Sequence, residues 1–252
     1  MSPHNWLFCR LSGAEVSELP ELIRSLHAPG DIWFFDPVAD PHHPGLGLWF
    51  HAVPERLGGI RTALRADGTV RIAEERITER LPRHPGARGI DLADELAAVS
   101  SELAVALTAV GALRPENRLA WAVRHLRHLV ALVPQRERRA FLFLCWQHWT
   151  MALEPAHRID LGVRAETEAE AMTRETTGPA TGPWGRYTDA TRAITAAPGF
   201  TADTPANFLL FEHAHRTHRR LAVPLAAEAL AARIVRAELD ATGAAAPALQ
   251  KA

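Results

Sequence analysis

A chain of 252 residues, 47% hydrophobic and 23% charged, can bury a sizeable core and reads as a soluble globular protein of one large domain or two small ones. Its formal net charge of -1 carries no electrostatic bias toward nucleic acid or anionic lipid, so neither is expected as a partner. Lys251 is the lone lysine, and the two cysteines, Cys9 and Cys145, lie in apolar surroundings without metal or redox spacing and read as packing residues.

The N-terminal stretch lacks a basic region followed by a long apolar run, and "AFLFLCW" is too short to span a bilayer, so a cytoplasmic location is expected. "NWLFCRL" reads as a strand. "AEVSELPELIRSLH" has apolar residues at helical spacing, with Ser12 as a candidate N-cap and Pro20 either bending the helix or setting its start. "DIWFF" and "GLGLWFHAV" are strand candidates. Between them Pro37, Pro41, Pro44 and Gly45 break pairing and turn the chain, which gives the stretch from Asp31 to Phe50 an architectural role. The helix "PERLGGIRTALRA", a turn at Asp67-Gly68 and the strand "TVRIAEERI" follow. The order β-α-β-β-α-β predicts a ferredoxin-like, four-stranded antiparallel sheet with two helices on one face.

From Asp91 the period changes to that of helices, in "DLADELAAVSSELAVALTAVGAL", "PENRLAWAVRHLRHLVALV" and "QRERRAFLFLCWQHWTMAL". Gly162 to Gly185 is polar, rich in Thr and twice Gly-Pro, and predicts a long loop able to order over a substrate. "RYTDATRAITAA", "TPANFLLFEHAHRTHRRL" and "AAEALAARIVRAEL" are further helices. The expected fold is α+β within one domain, residues 1–252: an α/β sandwich over 1–80, a helical part over 90–242 and a disordered tail over 243–252.

Histidines are the most conspicuous candidates. His213, His215 and His218 are dense, but offsets of two and five do not share one helical face, and no HExxH or Cys-rich spacing accompanies them or the His125/His128 pair. No metal is implied. "DPHH", Asp40 to His43, could move protons or simply be a solvated turn. Phosphate-loop, dinucleotide and GxSxG motifs are absent, so no cofactor is implied either. Ser100 and Ser101 fit a helix contact or a cavity wall. Tyr187, the only tyrosine, and Trp184 fit a ligand clamp as well as they fit an anchor for the long loop.

The layout resembles the C-terminal domain of class I lantibiotic dehydratases, also found alone as small thiopeptide-type bacteriocin biosynthesis proteins. "WFF", Asp40-Pro41 and "LGLWF" stand where the family has an aromatic strand with an Arg-Tyr pair, Asp-Pro, and a His-Leu-Arg-Leu-Arg strand. His215 with Arg219 to Leu221 stands for the family's His followed by Asn-Arg-Leu, Glu228 for its downstream Glu, and "SSEL" for its serine-bearing helix. In the eliminating members, the resemblance implies, strand arginines hold the carboxylate of a glutamylated Ser or Thr as glutamate leaves. Here the aligned residues are Pro37, Gly47 and Trp49, which carry no charge, so the elimination site reads as dismantled.

The same scaffold serves the formal 4+2 aza-cycloaddition that joins two dehydroalanines into the pyridine core of thiopeptides and releases the leader peptide. That thiopeptide branch is the implied function, acting on a precursor peptide with a leader and an azole-containing core. Its reactants are neutral, so proximity and proton transfer are the catalytic resources. The implied site is an aromatic cleft in which Trp49, Trp184, Tyr187 and Phe208 stack on substrate and His215, Glu75 and Tyr187 move protons. Ser100 lines it, and Arg220 holds a carbonyl or the leader. Glutamate elimination and non-catalytic binding of a precursor peptide stay open as alternatives, as does a homodimer.

Overall fold

The structure, a computed structural model, describes residues 5–38, 40, 42, 44–68, 70–176, 181–202 and 206–244. The chain forms two compact units, Met1–Leu113 with Thr181–Thr204, and Arg114–Ala180 with Pro205–Ala252.

The first unit is built on strands β1 (Asn5–Ser12), β2 (Ile32–Pro37), β3 (Gly45–Ala52) and β4 (Arg71–Thr78). They form one sheet in the order β2-β3-β1-β4, every pair antiparallel, as the predicted ferredoxin-like order requires. Alternation along β1 fixes the two faces. Leu7, Cys9 and Leu11, with Leu46, Leu48 and Phe50 of β3, are fully buried on one. Helices α1 (Leu19–Leu26) and α2 (Pro54–Asp67) bring Leu19, Leu22, Ile23, Leu57, Ile60 and Leu64 to the core of this unit. Pro20 sits in the first turn of α1 and so sets its start. The cap is not Ser12, which pairs with Gly45 in the sheet. Instead the Glu15 amide donates to the Glu18 carboxylate in a capping box leading into α1. Gly68 ends α2 at φ 67°, the left-handed conformation that a glycine adopts without strain.

Helix α3 (Leu92–Ala109), capped by the Asp91 carboxylate on the Ala93 amide, packs against β2 and against α7 (Gly182–Thr195). Ala97 and Ala98 of α3 lie in the same buried cluster as Trp6, Ile32 and Phe34. The short α8 (Gly199–Ala202) belongs to this unit too. The first unit thus runs past residues 80–90 to Leu113 and takes in Thr181–Thr204. The first long helix and the one carrying Trp184 and Tyr187 complete the sheet unit, because β2 needs a cover for its aromatic residues and for its outer edge, where the Phe35 amide donates to Ser101 Oγ at 3.1 Å.

The second unit contains α4 (Arg118–Leu132), α5 (Arg138–Thr150), α6 (Pro155–Thr176), α9 (Ala206–Arg220) and α10 (Leu225–Ala244). α10 touches α4, α5 and α6, and its buried Ala229, Ala231 and Ala232 permit that close approach. Arg127 donates through Nε to Glu238 at 2.8 Å, tying α4 to α10. The expected loop over 162–185 is corrected. Helix α6 continues to Thr176 and α7 begins at Gly182, since Ala and Glu dominate "RAETEAEAM" and Arg164 pairs with Glu168 at i,i+4. α10 also runs past residue 243, and 245–252, like 41 and 43 of the Asp40 to His43 stretch, lie outside the described residues. No described helix is long and apolar enough to cross a membrane.

Candidate functional site

The sheet face opposite α2 carries the aromatic candidates. Register aligns Phe34, Trp49, Phe8 and Arg76 across all four strands, with His51, Trp6 and Thr78 in a row beside them. Trp49 packs against Phe8 (4.6 Å between centroids), Phe34 (5.9 Å) and Trp6 (6.3 Å). Trp6 and Phe34 are buried, whereas Trp49, Phe8 and Arg10 keep partial exposure. At Gly47 the Phe8 ring takes the space a side chain would need: a Cβ there would come within 3.1 Å of Phe8 Cε2.

The expectation of a face without fixed cations does not hold. Arg76 lies over Phe8 at 4.9 Å, and Arg80 over both Trp49 (5.0 Å) and Trp6 (5.3 Å). Arg10 stands on β1 opposite Gly47. Pro37, Gly47 and Trp49 lie on β2 and β3, whereas these guanidiniums come from β1, β4 and the residues after β4. Each has a carboxylate partner: Asp40 for Arg10 at 3.8 Å, Glu74 for Arg76 at 3.1 Å and Asp94 for Arg80 at 3.3 Å.

Glu75 is not on this face. It pairs with Cys9 in register and reaches α2, where it forms ion pairs with Arg61 and, at 3.2 Å, with Arg65. Burial, with the Glu75 carboxylate beside it, pushes the Cys9 thiol up to about 12, so that cysteine is a packing group rather than a nucleophile. Ser100 is fully buried and its hydroxyl donates to the Ala97 carbonyl of its own helix, while the neighbouring Ser101 bonds β2. Trp184 and Tyr187 are buried and pack on one another with their rings tilted, 5.3 Å between centroids. Tyr187 also lines a cavity of about 260 Å³ between α3 and α7.

The second unit brings together residues that helical spacing had kept apart. His215 on α9 donates from Nδ1 to Glu228 Oε2 on α10 at 2.9 Å, and His218 Nδ1 lies 3.6 Å from the same oxygen. Burial alone would raise the Glu228 carboxyl, but the His215 hydrogen bond and the His218 ring hold it below its ordinary range. An ionised Glu228 fixes the proton of His215 on Nδ1 and leaves Nε2 as the basic atom, and the His215 side chain is about a third exposed (34%). His125 on α4 stacks edge-on against His218 (5.0 Å) and His213 (5.7 Å). Burial, then the neighbouring imidazoles, drive His125 well below the usual imidazole value. For His213 burial is followed by the charge of Arg220. Arg220 is completely buried, whereas Phe208 is 58% exposed. Residues at offsets of two and five on α9 all meet a neighbour: His213 and His218 meet His125 of α4, His218 also meets Trp149 of α5, and His215 meets Glu228 of α10. Among the described residues no group of three or more His, Cys, Asp or Glu could hold a metal ion.

Residues 7–239 match the model of the lantibiotic biosynthesis dehydratase C-terminal family. The chain belongs to that family. Two solved structures share the fold of this lantibiotic dehydratase C-terminal family member at low identity. One is the tRNA-dependent lantibiotic dehydratase MibB from Microbispora sp. 107891, with TM-score 0.59 and 16% identity over 94% of this chain and 28% of that one. The other is TsrL, with TM-score 0.56 and 15% identity over 95% of this chain and 96% of that one. The family member thus spans less than a third of the length of MibB. Comparison with curated protein sequences gives no match.

Proposed function

We propose that this protein acts in the maturation of a ribosomally made peptide and catalyses the formal 4+2 aza-cycloaddition of two dehydroalanines, forming a pyridine core and macrocycle and releasing the leader. The observation that carries this reading is the Phe8 ring over Gly47, beside Trp49. Where an eliminating relative would present strand cations, this face presents aromatic rings, and the guanidiniums at its margin are matched one to one by carboxylates. Such a face favours flat, neutral azoles and alkenes over a glutamyl carboxylate, because a carboxylate would have to displace an existing anion from each arginine.

The chemistry assigned to the chain's own groups is modest. Holding the two alkenes in a near-attack arrangement can supply effective molarities of about 10⁵ M or more. One dehydroalanine amide reacts as its iminol, so a proton moves from nitrogen to oxygen before ring closure. Water and the leader amide leave afterwards. Within the second unit, His215 with Nε2 basic is the candidate for proton transfer, Glu228 holding its ring. Within the first unit, Trp49 and Phe8 offer a stacking surface. Glu75 receives no chemical role, being engaged by Arg61 and Arg65.

A second reading, glutamate elimination, is favoured by one observation: Arg80 over Trp49 and Trp6, with Arg10 two strands from Phe34, could gather on an anion if their carboxylates swung away. One experiment separates the readings. The protein is incubated, without added cofactor, with a leader-bearing thiazolyl peptide containing two dehydroalanines and, separately, with a glutamylated peptide. Mass spectrometry is expected to show macrocycle and free leader in the first. Glutamate release in the second alone replaces cycloaddition by elimination, and tight peptide binding without turnover of either assigns a non-catalytic binding role.

A further inference from the structure

The cavity between α3 and α7 is walled by Val99, Leu103 and Ala106 on one helix and by Pro183, Tyr187 and Ala190 on the other. At about 260 Å³ it is smaller than a site for a whole drug-sized ligand and suits one or two apolar side chains. Its mouth carries two charges of opposite sign, Glu102 from α3 and Arg186 from α7. Both side chains are exposed, and among the described residues neither has an ion pair or hydrogen bond, with each other or with any neighbour. An apolar socket with an unused acceptor on one rim and an unused donor on the other matches the chemistry of a single peptide residue: side chain inward, amide N–H to the carboxylate, carbonyl to the guanidinium. The small concave shape does not suit a second copy of the chain, which would present a broad surface.

We propose that this socket seats one apolar side chain of the precursor's leader segment, with Arg186 donating to a backbone carbonyl of the peptide and Glu102 accepting from an adjacent amide. The inference rests on the peptide-maturation reading above and adds a leader subsite to it. The leader is chosen over the core on chemical grounds. When an azole forms after a residue, that residue's carbonyl carbon becomes a ring atom and the next amide N–H is lost, so an azole-rich core offers neither group to the two rim charges.

Tyr187 makes the test direct, because it is the only tyrosine in the chain and lies in the wall of the socket. Full-length protein labelled with 3-fluorotyrosine gives one fluorine resonance. The probe is the capped pentapeptide acetyl-Gly-Gly-Leu-Gly-Gly-amide. It is expected to move that resonance in a saturable way. Its Asp analogue and an analogue with a thiazole after the Leu are expected to bind about tenfold more weakly, the scale of one lost charge-assisted hydrogen bond or one unsatisfied apolar pocket. Glu102→Leu and Arg186→Leu, both at exposed positions, should each weaken the Leu probe by a similar factor while leaving the free-protein resonance in place. The proposal is overturned if the Leu probe leaves the resonance unmoved, if the Asp or thiazole analogue binds as well as it does, or if neither rim variant changes its affinity. The readout does not involve turnover, so a socket that binds the probe in a protein lacking cycloaddition activity would reject the proposed reaction and keep the subsite.

Discussion

Glu228 accepts from His215 Nδ1 at 2.9 Å, and this contact leaves the other ring nitrogen as the proton acceptor. If His215 moves protons, His215→Ala should lower kcat by about 10² to 10⁴ while KM changes little. Glu228→Gln is the sharper variant. Its amide can donate to Nδ1 and so favours the opposite tautomer, with the proton on Nε2, in a nearly unchanged shape. We expect kcat to fall without loss of peptide binding, measured by steady-state turnover of the bis-dehydroalanine peptide. Equal losses in kcat and in affinity would assign the pair to binding.

The buried imidazoles make the stability of the second unit depend on pH. His125 and His213 have folded values well below 6.5, so as pH falls below 6.5 the unfolded chain takes up protons that the folded one refuses. Stability is therefore full above that value and declines beneath it, by up to about 1.4 kcal/mol per pH unit for each histidine. Glu228 adds a loss at lower pH. Its folded value is depressed, so its contribution is complete above about 4.5 and disappears as pH drops through the folded value. Urea midpoints taken from pH 8 to pH 5 should fall, and His125→Leu should remove about half of the slope beneath pH 6.5. An unchanged slope in that variant would show that this ring is not the linked group.

Phe8 and Gly47 are diagonal neighbours on one face of β1 and β3, and a Cβ at Gly47 would come within 3.1 Å of the Phe8 ring, which predicts a coupling between them. Gly47→Arg has to move the Phe8 ring and should cost about 1 to 3 kcal/mol, the range for overpacked sites. Combined with Phe8→Ala, the arginine gains the vacated space, so the double variant should be more stable than the sum of the single effects by about 1 kcal/mol in a denaturation cycle. Additive effects would mean that the ring does not occupy the arginine's place. The same double variant also tests function, since an added cation on this face should depress cycloaddition.

The sheet was legible because alternation and turn residues act locally: Phe8, Trp49 and Phe34 share a face by period, and Pro44-Gly45 turns the chain between β2 and β3. What period could not reveal was which side of β4 faces which helix. Glu75 and Arg76 are adjacent in sequence yet lie on opposite faces, and the register shift after Arg10 decides how β4 is met. Helix α6 was concealed by threonines and flanking Gly-Pro, although its i,i+4 pair Arg164 and Glu168 was present in the sequence. That the histidines named from the sequence pack together was hidden for a different reason. Their partners, His125 and Glu228, are respectively about ninety residues before and ten after α9's histidines, and long-range packing leaves no local signature.

Ser100 and Ser101 give the final prediction, because neighbours of the same type have different duties. Ser101 Oγ receives the Phe35 amide at the outer edge of β2, whereas the Ser100 hydroxyl donates to Ala97 within α3. Ser101→Ala removes the Oγ acceptor of a buried N–H at the sheet edge and should cost about 1 to 3 kcal/mol, the range for losing one partner of a buried hydrogen bond. Ser100→Ala removes a donor whose carbonyl partner Ala97 keeps its helical bond, and the change also raises helix propensity, so its cost should be the smaller of the two. Chemical denaturation of the two variants provides the comparison, and hydrogen exchange at the Phe35 amide identifies the cause: its protection should drop in Ser101→Ala and persist in Ser100→Ala. A larger loss from Ser100→Ala would mean that this hydroxyl has a role beyond its helix, and the serine placed in the site by family resemblance would then regain its claim to contact substrate.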